Sequence, residues 1–383
     1  MVNLGGMMPR SALLGVKEGK LVDSINTFLR DMLEKKMLDA LLVPLEHPSK
    51  SIVNPALVWD PEKLKNANPL APVMPVSTAR IISSITKVAT SKKRVGVVLR
   101  SCELRALIEL VKLKQASLEN IVLIGIDCFG TYSVTDYGKF CQETATPTEE
   151  FTKKIKSRDD TLLREACLVC EYPTPLNADL VIGLFGMDLE KNILIQATSA
   201  EGERILEALE LKEITVKEVK KRETAITELI KTRVENKNKL FKEIQGKVTG
   251  VDHLLTTLAP CINCHNCRIA CPLCYCKECF FDSPTFEWEA DKYLGWAEKR
   301  GALKMPTDSL LFHLTRLNHM VASCVGCGLC QEACPNDVPV FPIFRMAGEK
   351  VQGTFGYIPG RNLEDELPLS VFREDELSEV GTE

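Results

Sequence analysis

The chain has 383 residues, 45% of them hydrophobic and 26% charged, enough for two or three domains with ordinary cores. Its 48 basic and 52 acidic residues leave a net charge of −4, which gives no footprint for nucleic acid or for an anionic membrane surface. The 16 cysteines are too clustered for a disulfide scaffold and point to a reducing compartment.

In chain order, the short Ala12-Leu13-Leu14 patch is soon interrupted by Lys17, Glu18 and Lys20. No secretory core is expected there, no apolar run approaches the length of a membrane span, and the cytoplasm is the expected setting. Ile25, Phe28, Leu29, Met32 and Leu33 recur at three- and four-residue spacing, which predicts an amphipathic helix over 24–36. Residues 40–43 read as a short buried strand ended by Pro44, followed by a polar, proline-rich crossing over 46–75 and a helix over 77–88. Arg94 to Leu99 predicts a second buried strand, Glu103 to Lys114 a helix, and Ile121 to Ile126 a third strand. Apolar strands separated by helices argue for a parallel sheet covered on both faces, an α/β domain.

Cys102 follows one of these strands and Cys128 the next, while Cys167-x-x-Cys170 precedes the strand-like run 178–184. The ends of neighbouring parallel strands lie on the edge where α/β sheets bind ligands, so the four thiols can meet there. The alternative is that Cys102 and Cys128 are small buried core residues. Cys141 stands alone and reads as inert. After a further run at 193–195, a charged helical stretch carries only a thin stripe of Ile226, Ile230, Val234 and Phe241, the pattern of a solvated helix packed along one edge.

The densest signal comes next. Cys261-x-x-Cys264-x-x-Cys267-x-x-x-Cys271-Pro272 is answered by Cys324-x-x-Cys327-x-x-Cys330-x-x-x-Cys334-Pro335. Two such runs are how proteins hold two 4Fe–4S clusters, the fourth cysteine of each run serving the other cluster. The expected sets are therefore Cys261, Cys264, Cys267 with Cys334, and Cys324, Cys327, Cys330 with Cys271. Structural zinc uses two close ligands and then a gap, which fits less well. The wide spacing of the half-motifs, with Leu310, Leu314, Leu317 and Val321 forming a helical stripe before Cys324, favours a helical dicluster module over a compact βαββαβ ferredoxin. On that helix His313 and His319 read as packing or surface residues. Cys274, Cys276 and Cys279 are left over, as zinc ligands with a fourth from elsewhere or as a lining beside a cluster. The acidic stretch from Glu364 to Glu383 reads as a disordered end or a docking strip for a partner.

The blocks Arg100-Ser101-Cys102-Glu103, Gly125-Ile126-Asp127-Cys128 and Glu165-Ala166-Cys167-Leu168-Val169-Cys170 resemble the β subunits of coenzyme F420-reducing hydrogenases and F420-dependent formate dehydrogenases. The double motif, the string from Cys271 to Cys279 and the late Gly356-Tyr357-Ile358-Pro359-Gly360 are most similar to the formate dehydrogenase β subunit. The resemblance implies a third 4Fe–4S cluster on Cys102, Cys128, Cys167 and Cys170, beside an FAD expected near Ser77, Thr78, Arg100 and Ser101. It also implies coenzyme F420 as a candidate substrate. The chain departs from the family in lacking a Gly-Gly pair where the first helix begins, at Gly19 to Ser24, and no G-x-G-x-x-G fingerprint occurs.

The expected organisation is a β-subunit-like α/β domain over 1–213, a charged helical linker over 214–250, a dicluster domain over 251–345 and a tail over 346–383. The expected function is electron transfer between a hydride carrier and a catalytic partner. Formate dehydrogenase α, a hydrogenase and a heterodisulfide reductase-like complex are the candidate partners. A flavin-free wiring subunit is the alternative.

Overall fold

The computed structural model describes residues 10–49, 51–209, 211–213 and 216–370, so residues 371–383 of the acidic tail lie outside the described residues. The chain divides into two compact units. The first runs to Asn238 and adds Val325–Cys327 and Gly360–Asp365; the second comprises Lys239–Cys324, Gly328–Pro359 and the described residues from Glu366 on.

The first unit is built on one eight-stranded sheet in the order β3-β2-β4-β5-β6-β7-β1-β8. The strands are β1 (Ser11–Gly15), β2 (Ala40–Glu46), β3 (Val53–Val58), β4 (Val95–Arg100), β5 (Ile121–Ile126), β6 (Leu180–Gly183), β7 (Asn192–Ala197) and β8 (Lys212–Glu213). Its centre, β2-β4-β5-β6, is parallel as the apolar strands require, and every residue of β4 and β5 is buried. Both flanks are antiparallel: β3 pairs with β2, and β7, β1 and β8 extend the other side. The unit's helices are α1 (Leu21–Glu34), α2 (Thr78–Thr86), α3 (Ser101–Lys112), α4 (Val134–Glu143), α5 (Pro147–Lys156), α6 (Glu165–Leu168), α7 (Ala200–Ala208) and the first part of α8 (Val216–Val248). The predicted face of α1 (Ile25, Phe28, Leu29, Met32) is fully buried in the main core.

Pro44 does not end its strand, as the sequence suggested. Parallel pairing to β4 covers only Ala40–Leu42, so Pro44 lies beyond the ladder in which its missing N–H would be felt. There it sits opposite Pro55 of the edge strand β3, inside the stretch that reads as a crossing.

The carboxyl ends of β5 and β6 are fixed by buried charge. The Asp127 carboxylate, just past β5, accepts the amides of Leu184 (2.7 Å) and Phe185 (3.1 Å) and both terminal nitrogens of Arg222 on α8. Neither side chain is more than a tenth exposed. Gly125 does a related job sterically: a Cβ there would stand 2.4 Å from Pro175 Cβ, so only glycine lets the segment after Cys170 fold back onto β5.

The second unit is helical among the described residues: the end of α8, α9 (Val251–Leu258), α10 (Asn266–Ala270), α11 (Ala290–Arg300), α12 (Ser309–Met320), α13 (Leu329–Glu332) and α14 (Val340–Thr354). This is the helical arrangement expected from the spacing of the half-motifs. No helix among the described residues is long and apolar enough to cross a membrane.

Removing one partner of a buried ion pair strands the other, so Asp127→Ala should destabilise the protein by about 3–5 kcal/mol. Pairing it with Arg222→Met should restore part of that loss. Denaturant midpoints of the two variants check this; a shift under about 0.5 kcal/mol for the single variant would contradict the assignment.

Candidate metal centres

The first site grows from the carboxyl edge of the sheet. Cys102 stands in the first turn of α3, directly after β4, and Cys128 follows β5. Cys167 lies in α6 and Cys170 just beyond it. All four line one cavity with about 400 Å³ of empty space, counting its open mouth. Glu103 holds the start of α3 by accepting the Arg100 amide at 3.1 Å, and its other oxygen accepts the Thr78 amide at 2.8 Å. Gly130 has φ +120°, and a Cβ there would stand 3.2 Å from Cys167 Cβ, so glycine clears the approach to that thiol.

Burial dominates the electrostatics of this cavity. It pushes the Cys102 thiol well above its ordinary range and Cys128 up to about 11, with Arg100 and Arg233 opposing the shift at Cys128. Burial also works on Cys167, but Arg164, two contacts from Thr131 and the charge of Arg233 outweigh it, and this thiol titrates below its ordinary range. The Thr131 amide donates to Cys167 Sγ at 3.3 Å and its hydroxyl lies 3.6 Å from the same sulfur. Arg233 of α8 donates to the Phe129 carbonyl at 3.0 Å and to the Cys170 carbonyl at 3.4 Å. Cys327 lines the same cavity.

Of the residues expected near a flavin, Arg100 and Ser101 line this cavity. Ser77 and Ser101 keep buried hydroxyls with no partner, whereas the Arg100 guanidinium is taken by the Ala71 carbonyl at 2.6 Å.

In the second unit Cys261, Cys264, Cys267 and Cys334 line a cavity with about 320 Å³ of empty space. The thiol of Cys267 is pushed up by burial and faces Arg316, Cys261, Cys334 and Cys264. Cys330 is pushed up to about 12 by burial and faces Arg316, Cys271 and Cys324. The fourth cysteine of each run thus lies with the sulfurs of the other. Of the leftover thiols, Cys274 is pushed up to about 11 by burial and faces Cys271 and Arg316. Cys276 is exposed, and Cys279 packs beside Cys267, Phe281 and Phe312. Cys141 packs in the cluster of Tyr132, Tyr137 and Phe140.

Residues 92–222 match the family described as the carboxyl-terminal part of the β subunit in coenzyme F420 hydrogenase/dehydrogenase, and residues 257–338 match the 4Fe–4S dicluster domain. Along most of its length the chain is similar to β subunits of the F420 hydrogenase/dehydrogenase type. The F420-dependent formate dehydrogenase subunit β of Methanocaldococcus jannaschii is 27% identical to it over 90% of this chain and 93% of that protein. Subunit β of F420-dependent formate dehydrogenase 1 from Methanococcus maripaludis is 25% identical over 92% and 94%. Among solved structures, a chain of the F420-reducing NiFe hydrogenase complex from Methanosarcina barkeri matches with TM-score 0.46 and 14% identity, over 66% of this chain and 96% of that one. The family match spans Cys102 to Cys170, and the dicluster match spans all eight cysteines of the two runs.

Sequence reasoning missed the polar side chains that serve these thiols. Arg222, Arg233 and Lys237 are buried on α8 with Leu240 and Ile244, alongside the half-buried Ile226, Ile230, Val234 and Phe241 of the expected stripe, and Lys237 pairs with Glu171 at 2.8 Å. His313 is buried rather than superficial, and its Nε2 lies 3.2 Å from Cys261 Sγ. Burial, with Arg316 and His265 nearby, pushes its pKa down to about 4, so the ring is neutral at pH 7. Nδ1 is buried without a partner, so a proton on Nε2 makes the contact a hydrogen bond to sulfur. His319 is exposed.

Metal binding must displace the protons that burial keeps on these thiols. With Cys128 near 11 and Cys330 near 12, these two thiols of the cluster-free protein remain protonated well above pH 7. Iron–sulfide reconstitution should therefore release protons and become more favourable as pH rises from about 7 to 9, up to tenfold per unit for each proton displaced. Reconstitution yield against pH, with dye-monitored proton release, measures this; a flat profile would mean that the thiols are already ionised.

Proposed function

We propose that this chain, an iron–sulfur subunit of an oxidoreductase, holds three 4Fe–4S clusters and one FAD, and passes electrons between a deazaflavin hydride carrier and a formate-oxidising partner chain. The ligand sets are the one that the resemblance implies, Cys102, Cys128, Cys167 and Cys170, and the two expected from the spacing: Cys261, Cys264, Cys267 and Cys334; Cys324, Cys327, Cys330 and Cys271. The observation that carries the reading is the grouping of thiols around two cavities, Cys102, Cys128, Cys167 and Cys170 with Cys327 at one and Cys261, Cys264, Cys267 and Cys334 at the other, with Cys271 facing Cys330 across the two runs. Soft thiolate donors in a dry setting with cations alongside suit clusters, whose charge needs such compensation.

When bound, the clusters supply one-electron transfer and the flavin would split a hydride's electron pair into single electrons. The protein's own part is to hold and polarise the sulfurs. Arg164, Thr131 and Arg233 favour the thiolate of Cys167, and His313 Nε2 stands 3.2 Å from Cys261 Sγ. The F420-dependent relatives support coenzyme F420 as the hydride carrier, and their names support a formate dehydrogenase α partner over a hydrogenase. The unpartnered hydroxyls of Ser77 and Ser101 support a bound group beside Cys102.

A second reading is a flavin-free wire. It is favoured by the prior engagement of the Thr78 amide by Glu103 and of Arg100 by Ala71. Anaerobically purified protein should hold about 12 iron and 12 sulfide per chain, and acid extraction should release about one FAD. Reduced deazaflavin should then support viologen reduction. About 8 iron would remove the Cys102 cluster; full iron with neither FAD nor activity with any hydride donor would leave the wire.

The crossed ligand sets have their own test. Cys271→Ser should perturb the electron paramagnetic resonance signal of the cluster on Cys324, Cys327 and Cys330, and Cys334→Ser that of the cluster on Cys261, Cys264 and Cys267. Loss confined to each run's own cluster would show that the runs do not interleave.

A further inference from the structure

α12 sends two polar side chains one turn apart into the second unit: His313 to Cys261 Sγ, and Arg316 deeper. Arg316 is only 4% exposed. Its Nη2 donates to the Cys267 carbonyl at 3.0 Å, and its guanidinium carbon lies 4.6 Å from the centre of the Phe344 ring. Nε and Nη1 are buried with no partner, and among the described residues no carboxylate pairs with it. A buried guanidinium with two idle donors and no counter-charge is costly unless something anionic belongs beside it. The groups it faces are sulfurs: Cys330 and Cys271 of one set, Cys267 of the other, and Cys274.

We propose that Arg316 is a fixed positive charge shared by the two clusters of the dicluster module, and that it raises the reduction potential of both. The inference rests on the reading that the two cysteine sets hold clusters. A guanidinium keeps its positive charge at any working pH. Each cluster gains one negative charge on reduction, and a nearby cation in a dry setting stabilises that reduced form. Because the guanidinium faces sulfurs of both sets, its removal acts on both couples in the same direction. A second consequence concerns their mutual repulsion. An electron on one cluster disfavours an electron on the other, and a cation facing both weakens that penalty.

The test is a redox titration of the full chain with its clusters, followed by electron paramagnetic resonance. It compares wild type with Arg316→Met, Arg316→Gln and Arg316→Lys, with iron and sulfide measured in each. The neutral variants should lower the reduction equilibrium of both clusters by roughly tenfold or more, which is about 59 mV for a one-electron couple. Arg316→Lys should keep both couples near wild type, since it retains the charge without the planar fork. If the Met variant fails to assemble clusters, the Gln and Lys pair decides. A shift in one cluster only, no shift, or an equal shift in the Lys variant with full iron would overturn the proposal. Loss of iron from all three variants would overturn it as well, making Arg316 a structural residue of the module. Wild type without cluster signals after reconstitution would instead sink the cluster reading itself.

Discussion

Burial resists charge on sulfur, and both units gather partly buried cysteines and set cations beside them. Desolvation alone would keep the thiols of Cys102, Cys128, Cys267 and Cys330 protonated. Each unit answers with cations carried on helices: Arg233 of α8 and Arg164 at the start of α6 in the first, Arg316 of α12 in the second. These side chains are themselves expensive to bury. Arg233 offsets the cost by donating to the carbonyls of Phe129 and Cys170, and Arg316 in part by donating to that of Cys267. The same bonds tie the cations to the backbone of the cysteine-bearing loops, so charge compensation and loop geometry come from one set of contacts.

The sheet serves this arrangement by bringing distant thiols to one edge. Cys102 and Cys128 arrive from neighbouring parallel strands, and β4 and β5 pair in register from Val95 with Ile121 to Arg100 with Ile126. The Cys167–Cys170 loop is brought to the same edge by the Cys128 amide, which donates to the Pro173 carbonyl at 2.9 Å, and by the close passage of Pro175 over Gly125. Asp127, between β5 and Cys128, then binds the chain after β6 and α8 together.

What could be read from the sequence follows from how each element is stabilised. Strands buried on both faces, β4 and β5, announce themselves by continuous apolar runs. β3 does not, because an edge strand tolerates Pro55 and polar neighbours that a central strand would reject. β1 hides for a related reason: it is flanked by charged residues and is stabilised by pairing with β7, far away in sequence. The eight cysteines of the two runs were legible because a dicluster motif imposes a strict spacing, whereas Cys102, Cys128 and the Cys167-x-x-Cys170 pair stand far apart in the chain. Their cations were not. Arg164, Arg233 and Arg316 act from positions fixed only by the folded chain, and hydropathy scores each of them as a surface residue.

α12 shows where that leads. Two of its four leucines, Leu311 and Leu314, are 51% and 43% exposed, whereas Ser309, Phe312, His313 and Arg316 form its buried face. Tolerance to substitution along this helix therefore runs against hydropathy. Polar replacements at the two leucines leave the interior untouched, while an apolar residue in place of the histidine or the arginine removes a partner of sulfur. Over evolutionary time such a helix would keep its histidine and arginine together with Phe312 and let its two outward leucines drift.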